Sequence, residues 1–235
     1  MTESLLERGA LDVAVQPIVA LEGGPIAGYR AIPRATAGPH REQRELLDRA
    51  ARAGTVAAVD LAWQRLALDR IAAWEPGARA GLQWFLAVDG RCGDDPCFGP
   101  RALRRMIDDH RLANVVLEVE LGEPGADRVA RIAGDVLPLA LAGLGAGHVT
   151  RASLRALQPA FVTLDADLVH GMALDPLRAT LVRTITDLGA RVGFEVVAHG
   201  LETEADLDQA RRAGVRYGLG GLLGRAAALP GRRAA

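Results

Sequence analysis

Glu118, Asp165 and His199 lie in or just after three apolar runs, Val115–Leu121, Ala160–Leu164 and Val192–Val197. Their side chains could do chemistry: carboxylates bind hard cations or accept protons, and an imidazole moves protons near neutral pH. Hydrolysis with two metals asks for more, because two divalent ions need several oxygen ligands to hold them and offset their charge. The other positions expected at strand ends are Ala87, Ala142, Gly143, Thr163 and Leu219, none of them anionic. With His148 on a neighbouring loop, Glu118, Asp165 and His199 could hold one transition metal in another geometry. No nucleophile or base-orienting partner accompanies His199 in the sequence.

The composition narrows the chemistry further. All 28 basic side chains are Arg, which excludes a Schiff-base lysine, a lysine general base and a P-loop lysine. Biased base composition of the gene is sufficient to explain that usage. The run Gly143-Leu-Gly-Ala-Gly147 departs from G-x-G-x-x-G, so no dinucleotide cofactor is implied. Cys92 and Cys97 sit in a polar turn without nearby thiol or imidazole ligands, which predicts two free thiols and no zinc. A net charge of −1 supplies no general field for nucleic acid. No signal peptide is visible, and no apolar stretch approaches the roughly 18 residues that cross a bilayer, so the expected location is the cytoplasm.

These residues need a scaffold. Alternation at Val13–Val19, a Glu22–Pro25 turn and a second run from Ile26 predict an antiparallel strand pair. Strands follow at 83–88, 115–121, 136–141, 160–164, 192–197 and 217–222, mostly separated by helical segments. The clearest helices are 55–74, 101–109, 175–188 and 204–213. In the first, Thr55 is an available N-cap, Val59, Trp63, Leu66 and Trp74 share a face, and Asp60, Gln64 and Asp69 are assigned to solvent. The alternating charges of 40–52 suit a solvated helix. Eight strands in this order within 235 residues predict one α/β domain, 1–235, closed as a barrel.

From about Leu11 to Arg225 the chain resembles the EAL domain family of cyclic-di-GMP phosphodiesterases. The resemblance rests on Val15–Arg34, Leu117-Glu-Val-Glu120, Gly145-Ala-Gly147 with Leu154 and Leu157, Val162-Thr-Leu-Asp165, Ala198-His-Gly-Leu-Glu-Thr203, and Gly220 through Gly224-Arg225. It implies a modified TIM-type (β/α)8 barrel whose first strand is antiparallel to the rest. It also implies, for active members, two divalent metals held by carboxylates and an asparagine, and a lysine supporting the attacking water. Followed onto this chain, those positions are Arg30, Ala87, Glu118, Ala142, Gly143, Thr163 and His199. A loop-steadying glutamate is Leu121, a late glutamine is Leu219, and Asp165 and Glu202 are kept.

A guanidinium at a metal-ligand position repels a cation, and Thr163 supplies no ammonium. The expectation is therefore no catalytic residue, no metal, no cofactor and no enzyme: a regulatory or protein-interaction module on a degenerate EAL scaffold, unlikely to hydrolyse cyclic-di-GMP. An Arg30–Glu118 ion pair is the simplest arrangement at the mouth. Gln16, Arg34, Glu118 and Asp165 are the candidate ligand-binding residues, Gln16 and Arg34 because they match substrate-contacting positions of the family. Two alternatives stay open, a metal-independent sensor of cyclic-di-GMP or another nucleotide and a divergent enzyme using Glu118 and His199. The expected partner is a protein or a second copy in a homodimer, as family members dimerise near the barrel mouth, with no membrane and no nucleic acid.

Overall fold

The apolar alternation near the start forms strand β1, Leu11–Ala20, and the run after the turn forms β2, Ile26–Ala35. They pair antiparallel, with Gln16 opposite Arg30. The computed structural model describes residues 11–36, 43–74, 76–120, 125–134, 136–144 and 149–229. Six further strands each lie parallel to the one before: β3, Gln83–Val88; β4, Val115–Glu120; β5, Leu139–Leu144; β6, Phe161–Leu164; β7, Glu195–His199; and β8, Tyr217–Leu219. The sheet closes where β8 pairs antiparallel with β1 through Val19 and Gly218. A short β9, Ala227–Ala228, adds to β1 at Ala14 and Val15. The structure is the TIM-type barrel implied by the resemblance, with β1 running against the other barrel strands.

The helices are α1, Gln43–Arg52; α2, Val56–Ala72; α3, Pro76–Arg79; α4, Pro100–Asp109; α5, Ala126–Ala133; α6, Arg151–Leu157; α7, Ala166–Val169; α8, Pro176–Val192; and α9, Glu204–Arg212. They cover the barrel, burying Trp63, Leu68 and Ile71 of α2 and the outward side chains Trp84, Leu86, Leu117, Val119, Leu141 and Val162. A separate cluster, Ile18, Phe85, Val116, Ala140, Phe161, Val197 and Leu219, fills the barrel interior. There the Phe85 and Phe161 rings meet edge to face at 5.0 Å. Each such ring contributes about 2–3 kcal/mol on leaving water.

Several boundaries differ from the sequence reading. Pairing of β5 starts at the Pro138 carbonyl, which accepts the Leu117 N–H, while Val136 remains exposed. Val192 ends α8 instead of starting a strand, because Gly193 at φ +101° closes the helix there. Thr55 does not cap α2; its hydroxyl donates to the Ala50 carbonyl. Asp60 and Gln64, assigned to solvent, are 2% and 1% exposed, because α2 lies between the barrel and the turn that follows β3. Thr203 does cap α9, accepting the Asp206 N–H at 3.1 Å. Cys92 and Cys97 are free thiols. Among the described residues no helix is long and apolar enough to cross a membrane.

Candidate functional site at the barrel mouth

Side chains two apart on a strand share a face, so the interior cluster fixes what lies above it. One step toward the mouth from Ile18, Phe85, Val116, Ala140, Phe161 and Val197 come Gln16, Ala87, Glu118, Ala142, Thr163 and His199, and Arg30 faces Gln16 across the β1–β2 pair. The fold thus gathers Gln16, Glu118, Arg30, Thr163 and His199 into one layer.

Glu118, 3% exposed, is at the centre. Arg30 Nε donates to its Oε2 at 2.5 Å, and the Thr163 hydroxyl donates to its Oε1 at 3.1 Å. The expected ion pair is therefore present, with one donor on each carboxylate oxygen. Burial, with the Arg30 guanidinium next in weight, lowers the pKa of His199; the weaker pull of Glu118, Asp165 and Glu202 opposes them. His199 is accordingly neutral at neutral pH. Asp165 faces a different task, capping α7 by accepting the Asp167 N–H at 3.0 Å. Glu202 accepts the Gly221 N–H at 2.9 Å.

The other two ligand candidates part company. Gln16 Nε2 is spent on the Gly224 carbonyl at 3.1 Å. Arg34 projects from the end of β2 on the same strand face as Arg30, exposed and without an ion pair among the described residues. His148 and Leu121 lie outside the described residues.

This donor set does not fit a pair of divalent cations. Among the described residues no group of three His, Cys, Asp or Glu side chains could hold a metal, and Glu118, the buried carboxylate of the mouth layer, is already neutralised by Arg30.

A polar network behind the mouth escaped the sequence reading. Gln64 Nε2 donates to the Ala87 carbonyl at 2.7 Å and to Asp60 Oδ1 at 3.1 Å. Asp60 Oδ2 accepts the Asp89 N–H at 2.8 Å and the Cys92 thiol at 3.6 Å. Asp89 in turn holds Arg91, which reaches Asp48 of α1 at 2.9 Å. Together these bonds anchor the mouth end of β3. Burial pushes the Asp60 carboxyl up to about 7 and raises the Cys92 thiol. The signal in the sequence was the pair Asp60 and Gln64, one helical turn apart inside a run of buried apolar residues.

The EAL domain model matches residues 1–226. The chain belongs to the EAL domain family. It is 26% identical over 231 residues to the bifunctional diguanylate cyclase/cyclic di-GMP phosphodiesterase MucR of Pseudomonas aeruginosa, covering 94% of this chain and 33% of that protein. It is 28% identical over 110 residues to the probable cyclic di-GMP phosphodiesterase PdeD of Escherichia coli, covering 45% and 21% of the two. The chain thus spans a third or less of these curated relatives. The structure of the PaMucR phosphodiesterase in its c-di-GMP complex superposes with a TM-score of 0.86 at 23% identity, covering 97% of this chain and 96% of that one, a likeness of fold.

Membership of the EAL family corrects one expectation. The reading of the chain as no enzyme is overturned, because the relatives that match are named as a probable and a bifunctional cyclic di-GMP phosphodiesterase, which points to an enzyme. Physically, replacing ligand side chains at named positions does not by itself abolish all turnover. Substitutions at a mouth constrain how a site works and do not measure its rate.

Proposed function

We propose that this EAL domain acts in cyclic-di-GMP signalling as a regulatory module, engaging the dinucleotide or a protein partner at the barrel mouth without a pair of divalent ions. The observation that carries the reading is the Arg30–Glu118–Thr163 arrangement, which puts a fixed guanidinium where a cation would otherwise balance the buried carboxylate. Arg34, exposed on the same face, is the residue suited to a phosphate.

The test is calorimetric titration of cyclic-di-GMP into the chain with EDTA and again with Mn²⁺, each sample then analysed for the linear dinucleotide. Binding of equal affinity in both, weakened at least tenfold in Arg34→Ala, supports the proposal. Binding that requires Mn²⁺ overturns it, and linear product in either sample would show that the mouth also carries the phosphodiesterase activity of the relatives' names. If neither sample binds, the dinucleotide is eliminated as the ligand of the mouth.

A further inference from the structure

Asp60 and Glu118 are both buried carboxylates, in unlike company. Glu118 faces a guanidinium, whereas Asp60 has no ion pair among the described residues. Its partners are Gln64 of its own helix and, from the turn 89–95, the Asp89 N–H and the Cys92 thiol. The charged groups around it give no relief. Asp89 repels it, and Arg91 is taken up by Asp89 and by Asp48 of α1. Asp95 accepts the Cys97 N–H, and Arg65 of α2 lies toward exposed Cys97. β1 brings one charged side chain, Asp12, which rests against Arg70 at 3.6 Å. β3 presents the Ala87 carbonyl, reached through Gln64. An anion without a counter-charge in such a place is costly unless water can reach it.

Two of the three donors on this carboxylate belong to the turn, so the charge and the turn are coupled. Helix α2 cannot yield, since Trp63, Ala67, Leu68 and Ile71 are packed in the core. The turn is the part that can move: its other side-chain bonds go to α5, where Arg128 and Arg131 hold Asp94 near the surface. We infer that Asp60 is a proton-operated latch, which holds the turn 89–95 closed against α2 and the mouth end of β3 while it carries its proton, and lets the turn open as that proton leaves. Opening brings water to the carboxylate, so the open chain ionises at the ordinary value of 3.8, while the closed chain keeps the proton up to about 7. Between those values the open fraction rises about tenfold per pH unit, and above 7 it levels off. Acidification within that range therefore tightens the turn, and with it the Gln64 bond to Ala87 at the mouth.

This inference is independent of what the mouth binds. Cys92, 1% exposed and inside the turn, reports the opening directly. In a Cys97→Ser background it is the one thiol of the chain, and its alkylation by N-ethylmaleimide is followed from pH 5 to 8. Thiolate attack alone makes the rate climb about tenfold per pH unit. The latch adds a second factor of about ten below pH 7, so the expected climb is about a hundredfold per unit there and about tenfold above it. Asp60→Asn should climb about tenfold per unit throughout. A tenfold climb across the whole range in the Cys97→Ser chain overturns the inference whether or not the Asp60 variant folds, and so does a steeper climb that persists in Asp60→Asn. Opening must also be local. Urea at about 1 M should leave labelling at pH 6.5 nearly unchanged, whereas a route through global unfolding would speed up at least about fivefold, and that acceleration also overturns the latch.

Discussion

Arg30→Ala leaves Glu118 buried with Thr163 as its remaining partner. Breaking such a pair from one side costs about 3–5 kcal/mol, most of it the stranded charge. The expected result is a lower urea midpoint, largely recovered in Arg30→Ala/Glu118→Leu, and an unchanged midpoint in the single variant would remove the pair from the structural account. Asp60 gives a pH signature. Its carboxyl is raised to about 7 by burial, against 3.8 unfolded, so its contribution is fully present below pH 3.8 and is lost as pH rises to about 7. Roughly 4 kcal/mol is at stake. His199 acts in the opposite sense: with its pKa lowered, the stability it contributes above 6.5 is lost as pH falls. Asp60→Asn keeps a carbonyl acceptor for the Asp89 N–H, so it should abolish the alkaline loss and leave the acidic one, measured as midpoint against pH. The Arg30–Glu118 contact was legible because the resemblance aligned both positions at one mouth. Asp60 was not, since a helix wheel ranks faces by polarity and cannot tell that a carboxylate is turned toward a backbone N–H.

Elements were legible where pattern and punctuation agreed. β3 was bounded correctly because Gln83–Val88 is compact and flanked by a turn on each side, and Thr203 announced α9 by its type and its distance from Asp206. β5 and β7 were placed about three residues early because Val136 and Val192 extend the apolar runs, while Pro138 and Gly193 decide where pairing begins. The segment 200–221 depends on close approach. A Cβ at Gly220 would run into the backbone N and O of Leu201, and neither can retreat, since Leu201 N–H bonds the Leu219 carbonyl. Gly220→Ala should cost a few kcal/mol by displacing β8 from the turn that carries Glu202. Thr203→Ala, which removes the cap and the hydroxyl's 2.9 Å hydrogen bond to the buried Asp206 carboxylate, should cost about 1–2 kcal/mol. Thermal melts of the two variants side by side separate these mechanisms.

At the scale of the molecule, the barrel and its closure were readable from the order of strands, and family membership agrees with them over residues 1–226. What the order of strands could not convey was activity, since that depends on a few side chains and on loops the barrel merely carries. A metal titration bears on this scale. Were a divalent ion bound at a hundredfold excess over its dissociation constant, it would add about 2.7 kcal/mol and raise the melting midpoint by about 5–11 °C. The donor set at the mouth predicts no such rise with Mg²⁺ or Mn²⁺ relative to EDTA, and a rise of that size would show that the ions find ligands after all. The seam between the first and last strands has a different consequence. Gln16 holds Gly224, Pro17 packs on Gly224, and Val15 pairs with Ala227, so residues more than two hundred apart in sequence are immediate neighbours. In spatial terms the described chain is a loop of beads almost joined at its clasp, and a rearranged gene that links the two sides of the clasp and opens the ring at the exposed turn Ala53-Gly54 should encode the same barrel.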